Sequence, residues 1–389
     1  MAHAGKTLTE QEYTLLDELG VVWVLDTFYW RNIESEQGVF DFSRYDAYVN
    51  KAISEGKKII AVLAYDTPWL NNGRRRYISP GNTPYFLRYV EETVRHFKGR
   101  VDVWSVWNEP NIVFWRGTNR EFYELSRLAT QRIRETDPDA YIIGGVFWRS
   151  PASFIRGMHR ASAIEGLDGI SFHPYALNPI GSAQVHDRFN RILSSIDYSK
   201  PVWVSEIGYP TAGWIPLTVK PEDLPSYVVK TIVNSAVRGA RTLIWYELFD
   251  GFNRGEIPRD QSLTFITERS YGLVYPDFER KSGAHSYELC ARYLPDSFYL
   301  PQLPKREDIP SNIVSFYFIN ASTGISTLIL WNDRLRPGSF ALHLPTDALK
   351  HDISTGMAQA LPSNSILEIN RVPLFITWSG SGIPVLLQI

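Results

Sequence analysis

The chain is almost devoid of cysteine, with a single one, Cys290, in 389 residues. One cysteine excludes an intrachain disulfide framework and a cysteine-based metal site. It leaves the compartment open, because both cytoplasmic and secreted proteins can lack disulfides. The N-terminus also lacks a basic region followed by an apolar core, and no apolar run is long enough to cross a bilayer. We therefore expect the chain as given to be soluble, either cytoplasmic or secreted with a signal removed, with no membrane insertion.

An excess of either charge is missing as well. Forty basic residues stand against 42 acidic ones, and the densest basic block is "RRR" at Arg74 to Arg76. This balance gives little electrostatic support for a nucleic-acid or membrane-surface partner. The expected partner is uncharged or weakly charged.

Apolar residues are plentiful, at 44% hydrophobic and 14% aromatic. A chain of this length can bury a large core, either as one α/β barrel with a small domain or as two ordinary domains. Short β-branched and aromatic runs alternate with helical patterns, which is typical of βαβ units around a parallel sheet. Seven runs are strand candidates: "VVWVLDT" (Val21), "KIIAVLAYD" (Lys58), "VDVWSVW" (Val101), "AYIIGGVF" (Ala140), "GISFHPY" (Gly169), "PVWVSEIGY" (Pro201) and "TLIWYELFD" (Thr242).

The pattern changes after about Leu294. From there the chain alternates apolar and polar residues, with Gly, Asn and Pro at the turns. This predicts an all-β region of about 90 residues, a sandwich. We therefore divide the chain into a barrel at 1–294 and an accessory domain at 295–389.

Two glutamates end strand candidates. Glu109 closes "VDVWSVW" and is followed by Pro110, and Glu206 closes "PVWVS". In β/α barrels the working groups lie at the carboxyl ends of the strands. For either residue alone, a structural ion pair or a helix cap is an open alternative. Two such ends on separate strands favour a functional pair.

A pair of carboxyl groups is what a retaining glycosidase requires. One protonates the leaving glycosidic oxygen and then activates water, and the other attacks the anomeric carbon, at a separation of about 5 to 5.5 Å. Asn108 precedes Glu109 and offers an amide for a sugar hydroxyl, although Asn at a turn also has a local explanation.

The segments "WNEPN" at 107–111 and "WVSEIGYPT" at 203–211 resemble the acid/base and nucleophile motifs of clan A glycoside hydrolases. The region from Glu18 resembles family 39-like members, including bacterial exopolysaccharide-degrading glycosidases, and the likeness spans roughly 8–294. The resemblance implies a retaining (β/α)8 enzyme with Glu109 as acid/base, Glu206 as nucleophile and Asn108 as the partner of the sugar 2-hydroxyl.

Other candidates line the predicted strand ends. The resemblance places a hydroxyl partner at Tyr175, a stacking ring at Trp245 and a site-lining imidazole at His173, which would otherwise be a core histidine. Trp30 is a candidate for stacking on a sugar, and Asp66 for bonding a sugar hydroxyl or capping a turn. Trp69, Trp115 and Trp214 are further aromatic candidates, each equally suited to a core. Without metal-ligand spacing or a glycine-rich phosphate loop, we predict no cofactor and no metal.

Two features depart from the clan pattern. The glutamates end the third and sixth visible strands where the clan has them on the fourth and seventh, so the barrel lacks or replaces its first strand, with "MAHAGK" a possible stand-in. Many relatives also carry an arginine where Leu25 stands, and such a cation keeps a nucleophile ionised by lowering its pKa. Arg31 and Arg149 are candidates to replace it.

The leading hypothesis is a retaining β-glycosidase acting on an oligo- or polysaccharide. Two alternatives stay open: a glycan-binding pseudo-enzyme, which the departures favour, and a transglycosylase, which uses the same carboxylates with a sugar acceptor. The presence of both glutamates favours an enzyme. The accessory domain is expected to pack against the barrel, with carbohydrate binding as the alternative role.

Overall fold

The computed structural model describes residues 8–70, 75–258, 260–301, 312–332, 338–381 and 385–388. Backbone contacts group the chain into two compact units. The first holds the described residues up to 17 together with 21–208 and 238–248, and the second holds 18–20, 209–237 and the described residues from 249 onward. The predicted boundary at residue 294 stays a prediction. No described helix combines the length and apolarity that a bilayer crossing requires.

A parallel sheet forms the first unit, and its seven described strands follow one another in chain order. Each predicted strand is present. The strands are β1 (Trp23–Tyr29), β2 (Lys58–Ala64), β3 (Val103–Val106), β4 (Ile142–Trp148), β5 (Gly169–His173), β6 (Val202–Ile207) and β7 (Ala240–Trp245). Most of these strands are buried along most of their length, which is why they read as nearly continuous apolar runs and not as alternating patterns.

The sheet curls so that side chains from distant strands meet inside it. Leu25 on β1, Trp203 on β6 and Ile244 on β7 belong to one buried cluster, and the rings of Trp23 and Trp203 meet edge to face at 5.5 Å. This is the filled interior of a β/α barrel. The predicted fold class is thereby confirmed. The segment Met1 to Lys6, suggested above as a first strand, lies outside the described residues.

Helices connect the strands. They are α1 (Glu10–Glu18), α2 (Trp30–Ile33), α3 (Ser43–Ser54), α4 (Thr83–Phe97), α5 (Asn119–Thr136), α6 (Ala152–Arg160), α7 (Pro179–Ser194), α8 (Leu224–Ala236), α9 (Leu263–Glu268) and α10 (Ser282–Tyr293), with a 3-10 turn at Pro80–Asn82. The start of α5 shows how sequence sets such a boundary. Thr118 and Glu121 each accept a hydrogen bond from the other's backbone N–H in a capping box, so the helix begins directly after Thr118.

The second unit carries the antiparallel strands. They are β8 (Ser297–Tyr299), β9 (Ile313–Asn320), β10 (Ile325–Asn332), β11 (Gly338–His343), β12 (Leu349–His351), β13 (Ala358–Ala360), β14 (Asn364–Ile369), β15 (Leu374–Ser379) and β16 (Val385–Gln388). Six of them form one sheet in the order β13-β12-β15-β10-β9-β8, and three form another in the order β14-β11-β16.

Two apolar clusters hold this unit together. One joins Tyr317, Leu328, Ile376 and Trp378 with neighbouring Leu and Ile side chains. The other packs Val229 and Val233 of α8 and Leu289 of α10 against Phe318 and Phe375 of the sheet. The sandwich predicted for the C-terminal region is thereby confirmed, and two helices from outside that region belong to the same compact unit.

Candidate active site

The backbone at the end of β3 turns sharply where the first glutamate stands. Trp107 and Glu109 both have positive φ, 67° and 45°, in the left-handed region that disfavours side chains with a Cβ. Each such residue costs on the order of 1–3 kcal/mol and persists only where its surroundings enforce it. The Glu109 N–H donates to the Val146 carbonyl at 2.9 Å, and the Trp107 indole donates to the Phe114 carbonyl at 2.9 Å. These bonds hold the turn that directs Glu109.

Strand β4 is distorted to make the first of these bonds. Its register with β5 shifts between Gly144 and Phe147, and Val146 within this bulge has a φ of 41°. A β-branched residue is especially disfavoured in that region. Bulges re-aim backbone groups beside active sites. Here the bulge presents the Val146 carbonyl to the Glu109 N–H.

The carboxylate of Glu109 is almost fully buried, at 7% exposure, and is bonded to an imidazole. Its Oε1 lies 2.7 Å from Nδ1 of His173, the last residue of β5. Nε2 of His173 lies 3.0 Å from the Ser205 hydroxyl, which in turn bonds the Ser171 hydroxyl. Both ring nitrogens of His173 are therefore engaged, and the imidazole has one orientation relative to Glu109.

Glu206 occupies a different setting near the end of β6. It is half-buried, and the Tyr175 hydroxyl donates to its Oε1 at 2.9 Å. Tyr175 follows β5 by two residues, so strand β5 supplies a partner to each glutamate. The "FHPY" segment thus connects the two carboxylates.

The structure brings the two glutamates close together. Ligand atoms of Glu109, His173 and Glu206 all lie within 4.8 Å of one another. Within the described part of the chain, these side chains are also the group that could hold a metal ion. Spacing along the sequence could not reveal this group, because its members come from three different strands.

A narrow cavity opens inside the barrel beneath these groups. Its lining includes Asn108, His173, Ser205 and Glu206 on the polar side and Leu25 on the apolar side. Leu25 therefore lies in the same cavity as Glu206, and no cationic side chain is among the lining residues. Arg31 stacks on Tyr29 and Arg149 on Trp148, and neither lines this cavity.

Tyr65 is a site residue that the sequence did not indicate. Its side chain bonds Asn108, and its ring meets Trp107 edge to face at 5.1 Å. Burial raises the pKa of its phenol, and the neighbouring Tyr29 and Glu109 raise it further, so the hydroxyl stays protonated. Tyr65 directly follows β2, and its only advance signal was that position.

The remaining predicted residues differ in burial and in hydrogen-bond partners. Trp30 is fully buried, stacks on Tyr89 and donates its indole N–H to Glu34 at 2.6 Å, so its ring is closed to a sugar in this structure. Asp66 accepts the Arg76 N–H at 2.6 Å, a loop-fixing role. Trp245 ends β7 fully buried. Of the additional tryptophans, Trp115 is buried, Trp69 is half-buried and Trp214 is 56% exposed.

The known proteins that are similar to this chain include glycoside hydrolases. No family profile matches the chain. Its sequence is 27% identical over 192 residues to endo-1,4-beta-xylanase A of Phanerodontia chrysosporium, covering 43% of this chain and 45% of the xylanase. It is 26% identical over 153 residues to a beta-xylosidase of Caldicellulosiruptor saccharolyticus, covering 33% and 31%. The matched segment spans less than half the length of these curated relatives.

Solved structures match over far more of the chain. A family 39 glycoside hydrolase from the gut symbiont Bacteroides cellulosilyticus WH2 superimposes with a TM-score of 0.77 at 18% identity, covering 94% of this chain and 76% of that one. A monomeric beta-xylosidase from Caulobacter crescentus CB15 gives 0.65 at 12% identity, covering 98% and 95%. The fold is that of a clan A glycoside hydrolase barrel with an appended β domain. Within that class the resemblance is to family 39, as its motifs indicated.

Proposed function

We propose that the protein is a retaining β-glycoside hydrolase in which Glu206 is the nucleophile and Glu109 the acid/base. The observation that carries this proposal is the separation of the two carboxylates. Their oxygens approach within 4.8 Å. Retaining glycosidases have carboxyl groups about 5–5.5 Å apart, whereas inverting enzymes leave about 6.5–9.5 Å for a water molecule. An approach this close supports the retaining mechanism over the inverting one.

The two settings support the division of roles. Glu206 is half-buried and accepts a hydrogen bond from Tyr175, which stabilises a carboxylate that must be ionised in order to attack. Glu109 is nearly enclosed and bonded to His173, a group that can share its proton. Different surroundings are how one site keeps one carboxylate ionised and the other able to exchange a proton.

The reaction proceeds in two displacements. Glu206 attacks the anomeric carbon, the bond from that carbon to the glycosidic oxygen breaks, and Glu109 transfers its proton to the leaving oxygen. Glu109 then takes a proton from water as the water oxygen displaces Glu206 from the anomeric carbon. Asn108, which precedes Glu109 and lines the cavity, is the proposed partner of the sugar 2-hydroxyl. β-Xylosides are the first substrates to test, because the relatives named above are xylanases and xylosidases.

The test compares the wild type with Glu206→Gln on aryl β-xylosides, glucosides, mannosides and galactosides and on oligosaccharides. Turnover by the wild type and a loss of more than about 10³-fold in the variant supports the proposal. A 2-deoxy-2-fluoro glycoside should label Glu206, as identified by mass spectrometry of peptides. Glu165→Gln is the matched control, because Glu165 lies at the surface bonded to Ser162.

Other outcomes assign another role. Equal turnover by wild type and Glu206→Gln removes Glu206 from the mechanism. Saturable glycan binding without turnover identifies the pseudo-enzyme, a reading that the leucine at position 25 favours. Transfer of the sugar to an added acceptor in preference to water identifies a transglycosylase.

A further inference from the structure

Two arginines of the first unit are linked to residues around the two glutamates and have no assigned role. The guanidinium of Arg76 lies 4.4 Å from the centroid of the Phe114 ring, and that of Arg149 lies 5.4 Å from the Trp148 ring. Among the residues that the structure describes, neither guanidinium forms an ion pair with a carboxylate. Stacking orients a guanidinium while leaving the N–H groups at its edge available to a ligand.

A chain of stacked rings connects Arg76 to Asn108. The Phe114 ring beneath it stacks on Tyr65 at 6.0 Å with an interplanar angle of 12°, and Tyr65 bonds Asn108. The charge of Arg76 is close enough to lower the pKa of the Tyr65 phenol, against the dominant upward effect of burial. Arg76 is therefore a neighbour of the group that contacts Asn108.

A backbone hydrogen bond connects Arg149 to His173. Its N–H donates at 2.9 Å to the carbonyl of His173, the partner of Glu109. The preceding residue, Trp148, is 38% exposed, and its backbone N–H and carbonyl are both bonded by the side chain of Asn111, at 2.9 and 3.0 Å. Trp148 and Arg149 are thus held at the carboxyl end of β4 as an exposed ring with a cation above it.

Both arginines adopt a backbone conformation that favours glycine. Arg76 has a φ of 58° and Arg149 a φ of 61°. Glycine would occupy these positions without strain, so an arginine at either one is less favourable than glycine for the backbone. Hydrogen bonds enforce the conformation, since the Arg76 N–H donates to Asp66 and its carbonyl accepts from the Arg116 N–H. A binding role for the two side chains accounts for arginines at strained positions.

We propose that Arg76 and Arg149 each bind an anionic substituent, a carboxylate or a sulfate, on the glycan that enters this site. The chemistry fits, because guanidinium groups bind both anions through paired hydrogen bonds, and the partly exposed rings of Tyr65, Phe114 and Trp148 suit the C–H faces of sugars. The near-zero net charge of the whole chain does not oppose this, since the arginines act locally. The inference deepens the proposed function and rests on it.

The first experiment uses a glycan array containing neutral, uronic acid-bearing and sulfated glycans, probed with the full-length Glu206→Gln protein. We expect the bound glycans to be anionic. Whether uronic acid or sulfate glycans bind identifies the source of the anion. Binding of neutral glycans alone, or of none, overturns the proposal.

The second experiment measures affinities for the strongest array ligand and for its carboxyl-reduced or desulfated form. Arg76→Gln and Arg149→Gln should each weaken binding of the anionic form about tenfold and change binding of the neutral form less than about twofold. Arg76→Lys, which keeps the charge without the paired donors, should lose less. The control is Arg88→Gln, because Arg88 on α4 also stacks on a ring, that of Phe40, and should affect neither form.

If the substitutions weaken binding of the anionic and neutral forms equally, the arginines serve packing, and the proposal is wrong. The experiments distinguish failure of this inference from failure of the proposed hydrolysis. Turnover of a neutral β-glycoside with no anion-dependent effect of Arg76 retains the hydrolase and removes this inference. Arginine-dependent anion binding without turnover of any glycoside retains this inference and removes the hydrolase.

Discussion

The ends of β3 and β6 present the same side chain in two settings. Glu109 stands on a left-handed backbone turn, is 7% exposed and is bonded to an imidazole. Glu206 lies within β6 without a positive φ, is half-buried and is bonded to a phenol hydroxyl. The comparison teaches that two glutamates alike in sequence can be separated in role by burial, backbone conformation and hydrogen-bond partner.

The largest expected effect on activity comes from replacing Glu109. Glu109→Gln should lower kcat/KM about 10²- to 10⁴-fold for glycosides with poor leaving groups, because no acid then protonates the departing oxygen. Activated aryl glycosides, which need little protonation, should lose much less in the glycosylation step. The measurement is kcat/KM across a series of leaving groups. A uniform loss over the series would contradict the acid role.

Removing the partner of Glu206 should have a smaller effect. Tyr175→Phe deletes the hydroxyl that donates to Oε1, and a hydrogen bond to a charged group contributes about 1.5–3 kcal/mol, so kcat should fall roughly 10- to 100-fold. Tyr123→Phe is the control, since its hydroxyl bonds Asn119 on α5. Equal kinetics of Tyr175→Phe and wild type would leave Tyr175 without a role at the nucleophile.

A third measurement contrasts the engaged His173 with His186 on α7. His186 is fully buried, and within the described residues neither ring nitrogen has a hydrogen-bond partner. Burial lowers the pKa of His186 to about 4, with Arg238 adding to the shift and Asp187 opposing it. Because the folded-state pKa lies below the unfolded value of 6.5, this group's contribution to stability is present above pH 6.5 and is lost as the pH falls toward 4.

Urea unfolding checks this expectation. Between pH 7 and pH 5 the wild type should lose about 2 kcal/mol more of its free energy of unfolding than His186→Leu does. Parallel pH dependence in the two proteins would show that the ring finds a partner or water when it is protonated.

The smallest expected effect concerns metals. Glu109, His173 and Glu206 could hold an ion, but the proposed displacements use the same oxygens, so we expect a chelator to leave kcat unchanged and added Zn²⁺ to inhibit. Steady-state assays with and without chelator test this. Activity lost on chelation and restored by a specific metal would make the three side chains a metal centre.

Much of the fold was predictable from sequence because its signals are local. Buried parallel strands are apolar runs of a few residues, and Glu109 and Glu206 were found because functional groups lie at the ends of such strands. Their proximity required a barrel to join β3 and β6, which no local pattern encodes. The family motifs supplied that expectation.

The supporting groups were less predictable. The bulge at Val146 and the contact of Tyr65 with Asn108 arise from packing between strands, and the sequence carries no separate signal for either. Trp30 was chosen because an aromatic at a strand end suits a sugar, and a ring stacked in the core at Tyr89 gives the same sequence pattern. Arg76 became notable only through its backbone conformation and stacking partner, and Arg149 was considered from sequence only as a replacement for the arginine that relatives carry at position 25.

The hydrogen bonds that hold Glu109 have a consequence for chimaeras built from this protein and its relatives. Its N–H is tied to Val146 on β4, its carboxylate to His173 on β5, and Asn111 grips the backbone of Trp148. The setting of the proposed proton donor thus depends on the stretch 103–173 as a whole. A chimaera with a crossover inside that stretch would pair a donor from one parent with supports from the other, whereas crossovers outside it would transfer the acid intact.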